Sequence, residues 1–585
     1  MAQLYARLAP WLVSLAELVL LVPALMLVLS RASHRQPNHG RRLQQFFGDL
    51  ARRRKLSVAL VGALVLATRA VLIPILGIPQ PRYNDEFSYL LAGDTFAHGR
   101  LTNPPHPMWV HFESFHIIQR PTYMSMYAPA EGIVLAVGAV GERLGHPWIG
   151  QMMVTALMCS VLCWMLQAWL PPGWALLGGI LAVFRLGVLS YWMNTYWSGS
   201  VIALGGSLVV GALPRLKRHA HVGDAGLMAL GLIILANSRP YEGLIFGLPA
   251  AGAMLVWFFG KNRPPAKLAV GRVVLPLVLV LSLAAVATGY YYYRVTGSPF
   301  RMAYQVNRSA YAMAPYFLWQ TPRPEPQYHH WVMRDFYRWE LRKFEEGRTL
   351  GGFLRHAGEK LVSWWMFYLG PLLSVPLVAL PWAVRDRTMR FPLIALAAFG
   401  LGLAVETWTM PHYFAPATCL LYVLLLECMR HLGTWRRRQR TGAALVSLIP
   451  LIAIAMVVLR ITAVAAHAQI EPAWPRGNLE RARIVRQLER EPGRHLILVR
   501  YEQNHNVDME YVYNRADIDS AKVVWARHMG EKDDEELLRY FPTRKSWLLD
   551  ADAPSPQLVP YSESLRKPTD PPVAQKGRAE TGKVR

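Results

Sequence analysis

Long apolar stretches alternate with short polar connections over most of this 585-residue chain. An uncharged stretch of about twenty residues predicts a membrane-spanning helix, because a helix of that length crosses the hydrocarbon core of a bilayer. Twelve stretches fit this description: 8–30, 56–78, 148–169, 174–192, 199–214, 224–237, 242–259, 272–293, 361–383, 391–408, 411–430 and 443–463. The predicted fold class is therefore a polytopic α-helical membrane protein with about twelve transmembrane helices.

The pattern changes after Ala465, where the chain becomes polar. Helical patterns near 478–491 and 533–540 alternate with strand patterns at His495–Val499, Lys522–Trp525 and Ser546–Leu549, which predicts a small C-terminal α/β domain over 464–561. Residues 562–585 are rich in Pro and charged residues, so we expect a disordered tail. The remaining chain divides into an extra N-terminal membrane helix with a basic cytoplasmic loop, 1–55, and a main transmembrane domain, 56–463.

The net charge of +25 would suit a nucleic-acid partner, but the basic residues are concentrated in particular connections between the apolar stretches. These connections are 31–55, 215–218, 261–272, 385–390 and 430–440, whereas Asn194–Gly199, Ser238–Gly243 and Trp408–His412 hold one Arg between them. The positive-inside rule assigns the basic set to the cytoplasm. Alternation then places loop 79–147, segment 294–360 and the C-terminal domain outside, and it requires the uncharged connection Leu170–Gly173 to be cytoplasmic.

Loop 79–147, the Asp85 loop, carries the densest polar motifs: Arg82-Tyr83-Asn84-Asp85-Glu86, His111-Phe112-Glu113, Gln119-Arg120-Pro121 and Tyr127-Ala128-Pro129. An acidic pair beside a span is costly in lipid, so it usually serves an aqueous cavity, an ion path or a reaction at the interface. Asn84 or Asp85 would also suit the N-cap of a helix. Residues 128–143 predict a short helix on the membrane surface.

The polar residues predicted on the outer face combine carboxylates, arginines and aromatics: Asp85, Glu86, His111, Glu113, Arg120, Tyr196, Trp197, Arg239, Tyr241, Glu242, Arg301, Arg308, Glu406, His412 and Tyr413. A carboxylate takes a proton from a hydroxyl, and a guanidinium binds two oxygens of a phosphate. Aromatic rings stack on sugars. A site with these three functions suits sugar transfer from a lipid-phosphate donor.

The pair Asp85-Glu86, followed by Tyr89, resembles the Asp-Glu signature of the GT-C membrane glycosyltransferases. The resemblance is to the bacterial branch similar to protein O-mannosyltransferases (glycosyltransferase family 39) and lipid A aminoarabinose transferases. His111-Phe112-Glu113 resembles the second acidic element of that loop, although Ser114 and Phe115 replace the Lys-Pro of the family.

Two further stretches carry the resemblance. Tyr127-Ala128-Pro129 is similar to the Tyr-Pro-Pro-Gly stretch that begins the surface helix of the family. Pro411-His412-Tyr413-Phe414-Ala415-Pro416 resembles its late His-Tyr-x-x-Pro element.

The resemblance implies an inverting transferase in which Asp85 is the catalytic base, with Glu86 and Glu113 as acidic neighbours. The residues expected to bind the donor phosphate or the substrate are Arg120, Arg239, Tyr241, Arg301, Arg308, His412, Tyr413, Tyr196 and Trp197. The expected partners are a polyprenyl-phosphate-linked sugar, membrane lipid and a glycan, lipid or protein acceptor, with no nucleic acid. The expected location is the bacterial inner membrane, with the site and the C-terminal domain in the periplasm.

No cofactor is certain from the resemblance, which leaves a divalent metal ion open. His98, His106, His111 and His116 share the Asp85 loop, but their spacing matches no compact metal-ligand pattern. No metal ligand is therefore assigned.

Two alternatives stay open at the sequence level. A lipid-linked saccharide transporter would use ionisable residues within the spans, for which Arg69, Arg185 and Arg460 are candidates, and would be expected to show internal repeats. A non-catalytic subunit of a cell-envelope glycan assembly would bind glycan through the C-terminal domain.

Overall fold

The computed structural model describes residues 2–30, 39–140, 146–261, 263–434, 439–468 and 477–564. Within these ranges, nine helices are long and apolar enough to cross a membrane: Trp11–Ser30, Pro147–Trp169, Gly199–His219, Pro240–Phe259, Ala266–Thr296, Leu350–Ala383, Arg387–Ala404, Pro411–Gly433 and Thr441–Ala465. Shorter apolar helices are Pro129–Ala139, Pro172–Gly187 and Val222–Ala236. The chain is a polytopic helical membrane protein.

Each of the twelve predicted spans coincides with a helix. Nine coincide with the long apolar helices, and the other three correspond to Arg54–Val71, Pro172–Gly187 and Val222–Ala236. Those three are shorter or more polar, so the number of membrane crossings stays a prediction. A helix is present at Pro129–Ala139, where the sequence predicts a short surface helix, and segment 294–360 contains the helices Ala303–Tyr311 and Trp331–Gly347.

The remaining short helices connect these elements: His39–Arg52, Ile73–Leu76, Asn84–Ala97, Trp109–Phe112 and Tyr191–Asn194. Two of the nine long apolar helices contain a π-helical turn. Ala266–Thr296 contains a π-helical turn at Val270–Val274, and Leu350–Ala383 contains one at Trp365–Leu369. In Leu350–Ala383 the π-helical turn ends at Gly370, whose positive φ of 60° interrupts the helix.

The first helix, Ala2–Ser30, is attached to the bundle by a buried ion pair. Arg185 Nη1 lies 2.5 Å from Glu17 Oε1, and Arg185 also donates to the carbonyls of Met366 and Phe367. Glu17 Oε2 accepts the N–H of Leu372 at 3.2 Å. Because Arg185 and Glu17 pair with each other, neither charge is exposed to lipid without a partner.

Two of the basic connections, 31–55 and 215–218, contact the same end of the Pro147–Trp169 helix. Arg215 Nη2 donates to the carbonyl of Trp164 at 2.8 Å, and Arg218 Nη2 donates to the carbonyl of Ala168 at 2.9 Å. Gln167 Nε2 donates to the carbonyl of Arg54 at 3.0 Å. The uncharged connection after Trp169 therefore lies at the basic end, as the charge alternation requires.

The C-terminal domain is an α/β unit built on four strands, His495–Arg500, Val523–Arg527, Lys545–Asp550 and Leu558–Pro560. His495–Arg500 is central, with parallel neighbours Val523–Arg527 and Lys545–Asp550, and Leu558–Pro560 pairs antiparallel at the edge. The domain also contains two helices, Leu479–Arg490 and Glu531–Tyr540. The sequence missed the edge strand because it is only three residues long.

The C-terminal domain packs on the Asp85 loop through a shared apolar core. Leu91, Phe112, Ile117 and Tyr123 of the loop cluster with Leu496, Leu498, Val524 and Ala526 of the domain. Asn84 Nδ2 also donates to the carbonyl of Val507 at 2.9 Å. The loop and the domain therefore lie on the same face of the protein.

Some sequence-level predictions fall outside the described residues. The predicted disordered tail lies outside them from residue 565 onward, and parts of two basic connections, 31–38 and 435–438, do so as well. The helix Tyr561–Ser564 closes the described chain.

Candidate functional site

Asp85 lies in the first turn of the Asn84–Ala97 helix, and its neighbour Glu86 supplies the helix cap. Glu86 Oε1 accepts the N–H groups of Arg82 and Tyr83 at 3.1 and 3.2 Å, and Oε2 accepts the N–H of Tyr196 at 3.1 Å. Burial raises the pKa of Glu86 to about 7, while the three backbone donors oppose the shift. With Glu86 as the cap, Asp85 is free for another role.

Asp85 faces His116 and Tyr127 through one carboxylate oxygen. His116 Nδ1 lies 3.0 Å from Asp85 Oδ1, and the Tyr127 hydroxyl donates to the same atom. Oδ2 receives none of the hydrogen bonds found among the described residues, and the side chain is 25% exposed. Burial alone would raise the pKa of Asp85, but the charge and hydrogen bond of His116 and the hydrogen bond of Tyr127 lower it to about 2.

The main chain around a short antiparallel strand pair, Ile117–Ile118 with Met124–Ser125, holds His116 in place. The carbonyl of His116 accepts the Ser88 hydroxyl at 2.6 Å and the N–H of Met126 at 3.0 Å. His116 has a φ of 61°, a left-handed backbone conformation that residues other than Gly rarely adopt. Non-Gly residues in this conformation are often found at functional sites.

A second cluster forms around Arg239, the residue that precedes the Pro240–Phe259 helix. Arg239 Nη1 donates to Glu242 Oε1 at 3.1 Å, Nη2 lies 2.7 Å from His412 Nε2, and the guanidinium sits 3.7 Å from the ring centroid of Tyr413. Because an arginine N–H can only donate, we assign His412 as neutral with its proton on Nδ1, which lies 3.1 Å from the Tyr191 hydroxyl.

Stacked tyrosines connect the two clusters. Tyr127, which donates to Asp85, stacks on Tyr89 with ring centroids 4.4 Å apart, and the phenol groups of both lie within electrostatic range of the Arg239 guanidinium. The structure therefore brings together Asp85 and Arg239, from parts of the chain about 150 residues apart.

Two buried donors near Arg239 have no hydrogen-bond partner among the described residues, Arg239 Nε and Trp197 Nε1. The Trp197 ring lies edge-on to His412, with centroids 4.7 Å apart. A buried donor without an acceptor costs free energy, typically about 1–3 kcal/mol. An acceptor that carries negative charge, such as a phosphate, would satisfy both donors.

Glu113 lies apart from this site and joins three parts of the chain. Its Oε1 accepts the Tyr311 hydroxyl at 2.7 Å, its Oε2 lies 2.8 Å from His329 Nδ1, and its carbonyl accepts Arg527 Nε at 2.6 Å. Burial raises the pKa of Glu113. These contacts hold the Asp85 loop against segment 294–360 and the C-terminal domain.

Three of the predicted phosphate-binding arginines make their contacts elsewhere. Arg120 is exposed over the ring of Trp109 at 4.7 Å, and Arg301 is exposed and donates to Ser309 at 2.9 Å. Arg308 is buried against Glu340, with Nη1 and Nη2 bonded to the carboxylate at 2.7 and 3.0 Å. The structure does not bring these three into the Asp85 site, because each side chain is held by a local partner.

Two predicted tyrosines also have internal partners. The hydroxyl of Tyr241 donates to the carbonyl of Gly402 at 2.8 Å, and the hydroxyl of Tyr196 donates to the carbonyl of Pro79 at 2.9 Å. Both act through packing and hydrogen bonds within the protein. Tyr196 supports the site by carrying Trp197, the next residue along the chain.

Four residues of the site, His116, Tyr89, Tyr127 and Tyr191, are not predicted as site residues from the sequence. Tyr127 and Tyr89 were noted as motif residues, so a signal for them existed. His116 had been weighed only as a metal ligand, and Tyr191 had no signal, because its role depends on the position of His412.

The carboxylates of Glu86 and Glu113 are poorly placed to hold a divalent metal ion together with Asp85, because both are occupied by other donors. Asp508 of the C-terminal domain lies within electrostatic range of Asp85, whose charge contributes to the raised pKa of Asp508. The histidines of the Asp85 loop have separate partners, such as Asp519 for His106 and Asp85 for His116. Asp386, Glu427 and His431 bring possible ligand atoms within 4.8 Å of one another, but Arg430 already pairs with both carboxylates.

No family model and no curated protein matches the chain. Solved structures of the Archaeoglobus fulgidus oligosaccharyltransferase do. The one tethered to an acceptor peptide with the NVT sequon is 11% identical, with 85% of this chain and 69% of that chain covered and a TM-score of 0.44. The one with an inhibitory peptide and a dolichol-phosphate is 12% identical, with 86% and 70% covered and a TM-score of 0.36.

Both neighbours are described as oligosaccharyltransferases, and each is matched over more than two thirds of its own length. Because both TM-scores lie below 0.5, the function is inferred from this chain's own residues.

Proposed function

We propose that this protein is an inverting membrane glycosyltransferase. It moves a sugar from a polyprenyl-phosphate donor to a hydroxyl of a glycan, lipid or protein acceptor on the periplasmic face of the bacterial inner membrane. The observation that carries the proposal is Asp85, an ionised carboxylate with one open oxygen beside a cluster that presents unpartnered donors.

In the proposed reaction, the acceptor hydroxyl binds at Asp85 Oδ2 and attacks the anomeric carbon of the donor. The new bond joins the acceptor oxygen to that carbon, the bond between the carbon and the phosphate oxygen breaks, and the lipid phosphate leaves with the electron pair. Asp85 takes the hydroxyl proton. Because the pKa of Asp85 is low, we expect the proton to move to Asp85 late in the reaction. The acceptor hydroxyl becomes acidic only as its oxygen bonds to the anomeric carbon.

Arg239 and Trp197 bind the donor phosphate and stabilise the negative charge that develops on it. A guanidinium suits this role because its charge is permanent and its N–H groups fork toward two oxygens. Its bonds to Glu242 and His412 and its stacking on Tyr413 fix the orientation, while Nε stays available.

The partners of Glu86 and Glu113 favour a single displacement. A retaining mechanism through a covalent intermediate needs a second carboxyl group beside the first. The carboxylate of Glu86 accepts three backbone N–H groups, and that of Glu113 is held by Tyr311 and His329, so neither is free to act as that second group.

The span arginines give little support to a transporter. Arg69 bonds to Asn194 and to the carbonyl of Gly77, Arg185 pairs with Glu17, and Arg460 donates to the carbonyl of Leu189. Fixed partners of this kind are typical of groups that hold helices together.

The proposal is tested by transfer from a panel of polyprenyl-phosphate sugars, with the purified protein in lipid nanodiscs. We expect Asp85→Asn to reduce transfer by about 10²–10⁴-fold, the usual contribution of a positioned general base. Asp335→Asn, at an exposed position, is the matched control and should retain wild-type activity. Equal activity in wild type and Asp85→Asn would reject the catalytic assignment, and a wild type inactive with every donor would reject the glycosyltransferase.

A further inference from the structure

A cavity of about 340 Å³ opens between the C-terminal domain and segment 294–360, apart from the Asp85 site. Pockets that bind small molecules usually measure about 300–1,000 Å³, so this volume suits a small ligand or one end of a larger one. Its lining comes from three places along the chain: His329–Val332, Val499–Tyr501 and a stretch from Arg527 to Asp533. We call it the domain crevice.

The domain crevice lies at the carboxyl ends of two parallel strands. His495–Arg500 and Val523–Arg527 are paired so that Val499 is opposite Arg527, and both residues line the cavity. In open α/β sheets, ligands bind in the crevice outside these strand ends. The helix Glu531–Tyr540 begins beside it, after Gly530, whose φ of 101° allows the sharp turn.

Arg527 gives a second, independent sign of a ligand. Its side chain is 2% exposed, Nε donates to the carbonyl of Glu113, and Nη2 donates to Glu510 Oε2 at 2.8 Å. Nη1 is buried and has no partner among the described residues. A ligand oxygen in the crevice would supply the missing acceptor.

The other polar groups on the wall include both donors and acceptors. His329 and His528 each direct Nδ1 to a carboxylate, Glu113 Oε2 at 2.8 Å and Asp534 Oδ2 at 2.5 Å, which leaves Nε2 of each ring for a ligand. Asp533 is an exposed carboxylate at the edge, and Trp331 adds an indole ring.

The charges on the wall balance, which disfavours a phosphate. Arg527 is paired with Glu510, and Arg500 is paired with Asp550 at 2.5 and 2.9 Å, so the unpaired charge of Asp533 leaves no positive excess. Phosphate oxygens only accept hydrogen bonds, whereas a sugar hydroxyl donates and accepts. An aromatic ring beside such groups also suits the C–H face of a sugar.

We propose that the domain crevice binds a saccharide unit of the acceptor. The role of the domain crevice in sugar transfer rests on the proposed function, whereas the binding of a saccharide there does not depend on it. Glu113, held by His329 and Arg527, is three residues from His116, which pairs with Asp85. Three residues of chain span at most about 11 Å. An oligosaccharide held in the crevice therefore reaches Asp85 within a few sugar units.

Binding is measured with the full-length protein in nanodiscs and a panel of fluorescently labelled neutral oligosaccharides, with inorganic phosphate as a competitor. We expect Asp533→Ala and Trp331→Ala each to weaken saccharide binding at least tenfold. Glu535→Ala, on the same helix but outside the lining, should bind as the wild type does. Phosphate should not compete.

Three results would overturn the crevice proposal: no saccharide bound, equal binding in the crevice variants and wild type, or displacement of saccharide by phosphate. In a transfer assay, Asp533→Ala and Trp331→Ala should raise KM for the acceptor with kcat nearly unchanged, and an unchanged KM would also contradict it. Saccharide binding that depends on Asp533 and Trp331, in a protein inactive with every donor, would support the crevice and reject the proposed transferase.

Discussion

The substitution Glu86→Gln separates a positioning role for Glu86 from a catalytic one. The two oxygens of Glu86 accept three backbone N–H groups, from Arg82, Tyr83 and Tyr196. A glutamine has the same shape but only one acceptor oxygen, and its NH₂ group must face at least one of those N–H groups. The variant therefore leaves at least one buried donor without an acceptor.

An unsatisfied buried donor costs about 1–3 kcal/mol, so we expect Glu86→Gln to lower the free energy of unfolding by about that amount. The loss should be visible in thermal unfolding in detergent at pH 8, where Glu86 with its pKa of about 7 is ionised in the wild type. Glu345→Gln, at an exposed position, is the matched control and should unfold as the wild type does.

Transfer activity decides between the two roles. If Glu86 positions the segment that carries Trp197, the folded variant should retain activity within about tenfold, whereas a lost general base costs about 10²–10⁴-fold. A Glu86→Gln protein as stable as wild type but as inactive as Asp85→Asn would refute the positioning role and make Glu86 a catalytic residue.

Three further predictions concern the same site. His116→Ala should raise the pKa of Asp85 from about 2, because the main group that lowers it is removed; the acid limb of the kcat/KM profile should then move to higher pH, and an unmoved limb would contradict this. Arg239→Lys should reduce kcat/KM for the donor by about 10–100-fold, since a charged hydrogen bond contributes about 1.5–3 kcal/mol, while Arg301→Lys should act as wild type. EDTA should leave transfer unchanged, because the carboxylates of Glu86 and Glu113 are already held by other donors; activity lost in EDTA and restored by Mg²⁺ or Mn²⁺ would refute that.

The pKa of Asp85 also predicts how stability depends on pH. The folded-state pKa of about 2 lies below the ordinary 3.8, so ionised Asp85 stabilises the fold at neutral pH. That stabilisation is present above pH 4 and is lost as the pH falls from about 4 through 2. In Asp85→Asn, the free energy of unfolding should fall less steeply between about pH 4 and pH 2 than in the wild type. Equal slopes of that free energy against pH in the two proteins would contradict the prediction.

Local patterns predicted most of the fold. The apolar stretches located the helices because twenty uncharged residues have few alternatives to a helix in lipid. The strands of the C-terminal domain followed from β-branched and aromatic runs such as His495–Val499. The pitch changes within Leu350–Ala383 and the short strand Leu558–Pro560 were not predictable, because they depend on tertiary packing.

The site was predicted in part. Asp85, Arg239, His412, Tyr413 and Trp197 were named from the sequence, and the structure brings them together. Arg308 was placed in the site because an outer-face arginine suits a phosphate, but Glu340, 32 residues away, already occupies it. Sequence shows which groups carry charge; only the fold shows which of them already have partners.

The shared core of the Asp85 loop and the C-terminal domain has a consequence for biosynthesis. Leu91, Phe112 and Tyr123 are made early, but they pack against Leu496 and Leu498, which emerge almost four hundred residues later. Until then, the loop lacks much of the core that supports it, so the site beside Asp85 should be completed last. A chain ending at Ala465 should insert into the membrane and yet be inactive, with its Asp85 loop open to protease; full protection of that loop would contradict this order of assembly.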